Sequence, residues 1–278
     1  MRGIRTLRTV FTNLRTIALP PLRRPRVRPD EPRTEELVKW GVCLYVYSLI
    51  AHIQKILAGL VQLADTGNVA ASAPVGRHVF EWTALSCCLT AKLKEQFKQK
   101  DWEQAWSLLT QVVTGSDWAT KHGEKYAGAP PVKIPFELPK PVRIGEAVKE
   151  YEIFQARNTR EPEARDSYSF LSDHSHPNAA CLLRYHKYEE GGVVTLFIDS
   201  DQDPQQESFL PFVNCCLIDL LTFAYELLGV ADESIVRPEV KLVLQELARL
   251  APARLTGSVP AVAHSTKTGS EVQYGNGS

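Results

Sequence analysis

At 278 residues the chain has room for one sizeable domain with extensions or for two small ones, and it can bury a core without disulfides or metals. Lysine and arginine together number 32, as do aspartate and glutamate, so the whole molecule has no net charge to attract nucleic acid or an anionic membrane. A hydrophobic share of 44% with 23% charged residues is that of an ordinary globular protein. A highly charged partner therefore requires a local patch.

The cysteines indicate a reducing compartment. All of them lie in apolar stretches, and they form neither a CxxC motif nor a ligand-like spacing with histidine. Buried free thiols are the prediction, and with them a cytoplasmic location. The longest apolar run, residues 42–53, contains Ser48 and His52 and is shorter than the roughly 20 residues that span a bilayer. We therefore expect no membrane association.

Residues 1–34 contain nine arginines and no lysine, with Asp30 and Glu31 as their only acids. This composition is found in transit peptides and in arms that bind RNA or DNA. The simpler interpretation, which we adopt as the prediction, is a disordered extension separated from the fold by a proline-rich segment.

The rest of the chain predicts a helical domain over residues 35–251. Apolar residues recur at helical spacing in most of it, and Pro74 and Pro238 are placed to open helices. The predicted helices cover residues 35–63, 75–98, 101–113, 144–157, 165–174, 208–228 and 238–250, and a short further segment covers residues 117–126. The period changes over residues 182–199, where β-forming residues flank a Glu-Glu-Gly-Gly turn and predict a hairpin. Residues 252–278 are rich in glycine, serine and threonine and predict a disordered tail.

The predicted fold is therefore all-α, a bundle of about six or seven helices with one β-hairpin insertion. Such a bundle can self-associate, so a homodimer is one candidate partner, beside RNA and a protein that the sequence does not identify. No cofactor is expected.

One stretch concentrates polar chemistry at the end of a predicted helix. On that helix Arg165, Tyr168 and Ser172 share a face, and His174, His176 and Asn178 follow. An earlier helix carries Arg77 and Glu81 four residues apart, so these two can pair with each other and face the stripe.

This constellation has a catalytic and a structural interpretation. In the catalytic one, His174 or His176 transfers protons, Arg77 or Arg165 stabilises a phosphate-like transition state, and Tyr168 or Ser172 orients the substrate. The catalytic candidates are listed as His174, His176, Arg77, Glu81 and Tyr168, and the substrate-binding candidates as Arg165, Ser172 and Asn178. In the structural interpretation the same groups hold two helices together by hydrogen bonds.

A metal site is a third alternative, because His174 and His176 form an HxH pair with acidic residues further on. The spacing of Asp199, Asp201 and Asp203 begins like an EF-hand loop, but Pro204 and Leu210 occupy its glycine and twelfth positions. GxSxG, P-loop, GxGxxG and HExxH motifs are missing. No metal is therefore predicted.

The segments RHVFEWTALSCCL, residues 77–89, and YSFLSDHSHPN, residues 168–178, together resemble a poorly characterised group of bacterial helical proteins. In that group an R-x3-E helix pairs with a Tyr-x2-Leu-Ser segment that ends in histidine. The matching residues are listed as Arg77, Glu81, Tyr168, Leu171, Ser172 and His176, within a resemblance that covers roughly residues 40–230.

These proteins look like distant relatives of the HEPN bundles, many of which are metal-independent ribonucleases of toxin, antitoxin and phage-defence systems. The resemblance implies a bundle that acts on or binds RNA in a bacterial stress or defence setting. In the HEPN ribonuclease motif an arginine is followed, after a shorter gap, by a histidine; here eight residues separate Arg165 from His174. The resemblance thus implies the bundle more directly than the nuclease. The alternative is a non-enzymatic interaction module with a buried polar network.

Overall fold

The structure is a computed structural model, and it describes residues 2–19, 21–22, 25, 32–66, 68–114, 142–158, 164–175, 186–188, 194–196, 206–231 and 238–249. Eight helices lie in this part of the chain: α1 (Arg2–Arg15), α2 (Glu35–Asp65), α3 (Val69–Gln99), α4 (Trp102–Thr114), α5 (Ile144–Arg157), α6 (Ala164–Ser175), α7 (Gln206–Val230) and α8 (Pro238–Arg249). The all-α prediction is confirmed.

Local signals set the ends of the first long helices. The Thr34 hydroxyl accepts a hydrogen bond from the Leu37 amide at 3.2 Å, which caps α2, and the Asn68 side chain caps α3 by accepting from the Ala71 amide at 3.0 Å. Lys100 takes a left-handed conformation with φ of 57° and ends α3. Asp101 then caps α4 through the Gln104 amide. These tight connections make α2, α3 and α4 consecutive neighbours.

Helix α3 is the centre of the bundle, because it packs against α2, α4, α5, α6 and α7. Phe80, which is fully buried, contacts aromatic rings from α5, α6 and α7. Helix α7 packs closely against α3 at Gly76, where an added Cβ would lie 2.7 Å from Cζ of Phe209. Any side chain larger than hydrogen at position 76 would therefore push α7 away.

The prediction that α3 starts after Pro74 is wrong. The helix begins at Val69, and Pro74 lies within its second turn as an exposed residue. The cap at Asn68 and the small residues that follow favour helix from there, and one proline removes only one backbone hydrogen bond.

The prediction of a disordered start is also wrong for residues 2–15, which form α1. This helix packs against α2, α7 and α8, and Leu7, Val10 and Leu14 are buried in the core. Its apolar residues recur at positions i, i+3 and i+7, so one face can be buried while the arginines point outward. The segment predicted from 117 to 126 and the tail from 252 lie outside the described residues.

Two three-residue strands, β1 (His186–Tyr188) and β2 (Val194–Leu196), pair antiparallel with Lys187 opposite Thr195. Their connection and the remainder of the predicted insertion at 182–199 lie outside the described residues, so the hairpin insertion as a whole stays a prediction.

The cysteines that the structure describes are reduced thiols: Cys43, Cys87, Cys88 and Cys216 are buried, and Cys215 is half-buried. Burial raises the pKa of the Cys87 thiol well above its ordinary range, so this thiol stays protonated and acts as a packing group.

Two of the described helices, α2 and the Phe209–Val230 part of α7, are long and apolar enough to cross a membrane by length and composition. Core helices of soluble proteins meet the same criteria, and 67% of the apolar window of α7 is buried in the bundle, against 44% for α2. The cytoplasmic location and the lack of membrane association stay predictions.

Candidate functional site

Arg77 and Glu81 lie one turn apart on α3 and form an ion pair that reaches a second helix. Arg77 Nε donates to Glu81 Oε1 at 2.9 Å, and Arg77 Nη2 donates to the hydroxyl of Tyr168 on α6 at 3.2 Å. The guanidinium carbon lies 5.4 Å from the centre of the Tyr168 ring. Three of the residues predicted from the sequence therefore meet, and we call them the Arg77 cluster.

The Arg77 cluster lies at the margin of the core. The side chains of Arg77 and Glu81 are 22% and 28% exposed, and the Tyr168 ring stacks on the buried ring of Phe80 with centroids 5.8 Å apart. Burial by itself lowers the pKa of Arg77, but the hydrogen bond and charge of Glu81, together with Tyr168, outweigh it and raise this pKa. Arg77 is therefore a fixed cation, and an anionic ligand would share it with Glu81.

The other predicted site residues do not all join the Arg77 cluster. Arg165 contacts α5 instead: its amide donates to Glu152 Oε1 at 3.1 Å and its Nη2 to Oε2 at 3.5 Å. Ser172 is half-buried one turn after Tyr168.

The structure describes no side-chain contacts of His174 or His176, the two predicted histidines of this segment. His174 lies in the last turn of α6, and the structure describes its backbone only, while His176 and Asn178 lie outside the described residues. Their catalytic role, and the alternative HxH metal site, stay predictions.

Two further histidines, which are not among the residues predicted from the sequence, meet across α2 and α3. His52 Nε2 and His78 Nε2 are 2.7 Å apart, and Trp82 Nε1 donates to His78 Nε2 at 3.0 Å. The Trp82 ring also packs edge-on against both imidazoles, at 5.9 Å from His52 and 6.2 Å from His78 between ring centres. His52 is exposed, whereas His78 and Trp82 are half-buried. We call these three residues the histidine cluster.

The hydrogen bonds define the protonation of the histidine cluster. An indole N–H can only donate, so His78 Nε2 is the acceptor and the neutral ring carries its proton on Nδ1. His52 Nε2 is then the donor in the contact between the histidines. Burial, followed by the charge of His52, lowers the pKa of His78, while Glu81 acts in the opposite direction. At neutral pH the His78 ring is therefore uncharged, and the lone pair of its Nε2 faces His52 Nε2.

The sequence contains one signal for this cluster. His78 and Trp82 are four residues apart and lie on the same face of α3, next to Arg77 and Glu81. The partner His52 lies in an apolar stretch 26 residues earlier. Its contact with His78 depends on how α2 and α3 are aligned, which the pattern of a single helix does not specify.

A further polar pair lies deeper in the bundle. The Tyr151 hydroxyl on α5 donates to Asp219 Oδ2 on α7 at 2.5 Å, and both residues are buried. This pair is shielded from solvent and holds two helices together. Within the part of the chain that is described, no three His, Cys, Asp or Glu side chains gather as metal ligands would. The expectation of no metal and no cofactor stays a prediction.

Comparison of the chain with protein-family models, curated proteins and solved structures found no match. The resemblance to HEPN bundles therefore stays a hypothesis.

Proposed function

We propose that this chain is a HEPN-like helical-bundle protein of bacterial stress or phage defence that binds RNA and cleaves it without a metal ion. The observation that supports the proposal most is the half-buried Arg77 cluster, in which a fixed cation lies against an aromatic ring from another helix. A guanidinium binds phosphate oxygens and a tyrosine hydroxyl can hydrogen-bond them, so the pair fits the backbone of single-stranded RNA.

The charge on α1 supports the same partner. The helix contains four arginines and no acidic residue, and its apolar face is buried, so Arg5, Arg8 and Arg15 are exposed. Arg8 pairs with Asp65 of α2 at 2.6 Å. Cations on one helix attract a phosphate backbone even when the whole molecule is neutral. The proposal also includes a cytoplasmic location, a homodimer, and a β-hairpin inserted in the bundle at residues 182–199.

Binding of a fluorescent single-stranded RNA, followed by anisotropy at several salt concentrations, tests this function. We expect Arg77→Gln to weaken binding about tenfold or more and to reduce the salt slope by about one, because one phosphate contact is lost. Arg77→Lys keeps the charge but not the planar guanidinium, so an intermediate affinity is expected.

The control for this experiment is Lys94→Gln, which removes one positive charge from the same helix at the exposed pair with Glu226. Its RNA affinity should stay close to that of the unmodified chain. If Arg77→Gln keeps its thermal midpoint and binds RNA as the control does, the Arg77 cluster is not the binding site.

A second candidate function is a non-enzymatic interaction module. The observation that favours it is that Arg77 already donates to Glu81 and Tyr168, as a group that only joins α3 to α6 would. On this alternative the unmodified chain does not bind RNA, and Arg77→Gln lowers the thermal midpoint. The same set of variants therefore separates the two functions.

A further inference from the structure

The Arg77 cluster and the histidine cluster lie side by side on α3. Arg77 and His78 are adjacent in sequence, and Glu81 and Trp82 follow one turn later, so each pair occupies a neighbouring face of the helix. All four side chains are half-buried. Helix α3 packs against both α2 and α6. The surface that these four side chains form therefore has His52 of α2 on one side and Tyr168 of α6 on the other.

Glu81 links the two clusters electrostatically. Its carboxylate pairs with Arg77 at 2.9 Å, and its negative charge also acts on His78. The charged and titratable groups that act on His78 are thus His52 from α2 and Glu81 on α3, and Glu81 is connected through Arg77 to Tyr168 on α6. The carboxylate of Glu81 therefore acts both on the cation that would bind a phosphate and on the neutral imidazole of His78.

One of the two histidines can accept a proton, and the other can donate one. His78 presents the lone pair of Nε2, which Trp82 keeps unprotonated by donating to it. His52 presents an N–H at Nε2 and is exposed to solvent. One group that accepts a proton and one that donates a proton are what cleavage of a phosphodiester by general acid–base catalysis requires.

We propose that His78 and His52 are the catalytic base and acid of the RNA site, acting on a phosphodiester bound over α3 between α2 and α6. This inference rests on the proposed ribonuclease function and names its proton-transfer residues. Substrate binding replaces the contact between the two rings, and product release restores it.

The proposed reaction conserves atoms and charge. His78 Nε2 takes the proton of a ribose 2′-hydroxyl while that oxygen forms a bond to the adjacent phosphorus. The bond from phosphorus to the 5′-oxygen breaks, and this oxygen takes the Nε2 proton of His52, which acts as an imidazolium protonated on both ring nitrogens and becomes a neutral ring. The products are a 2′,3′-cyclic phosphate and a 5′-hydroxyl. Proton transfer from His78 to His52 across the 2.7 Å contact then returns both rings to their starting state.

The test is cleavage of an end-labelled single-stranded RNA by the full chain in EDTA, with analysis of the end groups and of the pH dependence. His78→Gln should lower the rate by about 10²–10⁴-fold, and His52→Gln should lower it by a similar factor. Lys94→Gln, on the same helix, is the control for a change in charge. Thermal unfolding of each variant shows whether it is folded.

Trp82→Phe provides a readout that a purely structural role would not change. It keeps an aromatic ring and removes the N–H that donates to neutral His78, so the pKa of His78 should rise. The acidic limb of the pH–rate profile should then move to higher pH. An unmoved limb would overturn the assignment, even if His78→Gln failed to fold.

The remaining outcomes separate this inference from the proposed function. Equal cleavage by His78→Gln and the unmodified chain overturns the histidine pair and leaves the ribonuclease. Loss of cleavage in His174→Ala/His176→Ala but not in His78→Gln assigns the chemistry to α6 and also overturns the pair. RNA binding without any cleavage overturns the pair and keeps the binding function, whereas neither binding nor cleavage overturns both.

Discussion

The protonation of His78 affects stability as well as chemistry. Its pKa in the folded state lies below the ordinary value of 6.5, because of burial and the charge of His52. Between the folded and ordinary values the unfolded chain binds more protons than the native one, so the free energy of unfolding rises with pH. The contribution of His78 is fully present above about pH 6.5 and is lost as the pH falls below it.

We therefore expect His78→Gln to flatten the dependence of stability on pH between about 5 and 7. The slope that one proton contributes is at most about 1.4 kcal/mol per pH unit. Denaturant unfolding at a series of pH values measures it, with Lys94→Gln as the control. Parallel curves for His78→Gln and the unmodified chain would contradict the lowered pKa.

For individual residues, the sequence predicts contacts within one helix better than contacts between helices. The pairing of Arg77 with Glu81 follows from their spacing, and Tyr168 contacts Arg77 as predicted, because a buried charge requires partners. The contact of His52 with His78 depends on the alignment of two helices and was missed. Arg165 was placed in the stripe by its spacing, yet Glu152 on a neighbouring helix attracts its charge.

The amino-acid composition of helix α1 does not indicate that this segment is a folded helix. Its arginines and lack of acids are typical of a disordered arm, but Leu7, Val10 and Leu14 form an apolar stripe that the rest of the bundle covers. The Gln54 side chain on α2 donates to the Leu14 carbonyl at 2.6 Å, next to this stripe. Packing, and not helix propensity, decides whether so short a helix is stable.

Leu14→Ala should therefore destabilise the protein by about 2–5 kcal/mol, because Leu14 is fully buried. Thr12→Ala, at an exposed position of the same helix, should change the free energy of unfolding by no more than about 0.5 kcal/mol. Denaturant unfolding of the two variants compares them directly. Equal stability of both would mean that α1 does not contribute to the core.

Other element boundaries follow from signals that act within one turn. The range of α5 agrees with the prediction, and α8 begins at Pro238, where proline is tolerated because the first amide has no partner in the helix. The predicted start of α3 at Pro74 is wrong because this proline lies inside the helix. It is tolerated there because the packing of this central helix offsets one lost backbone hydrogen bond.

In the whole molecule, one hydrophobic core connects the described helices. Buried residues from α1 through α8 belong to a single cluster, which extends from Leu7 to Leu247. The bond between Tyr151 and Asp219 crosses this core and joins residues 68 positions apart. A shared core gives the helices little opportunity to unfold separately.

This arrangement predicts one cooperative unfolding transition, which the positions of the tryptophans make testable. Four of the five are described, and they lie on α2, α3 and α4 as Trp40, Trp82, Trp102 and Trp106. Tryptophan fluorescence therefore follows mainly the first half of the bundle, whereas far-ultraviolet circular dichroism follows all of its helices. We expect the two denaturation curves to coincide, and Leu14→Ala to shift both by the same amount although α1 has no tryptophan. Separate midpoints, or a shift in circular dichroism alone, would mean that α1 and its neighbours form a unit that unfolds independently of α2–α4.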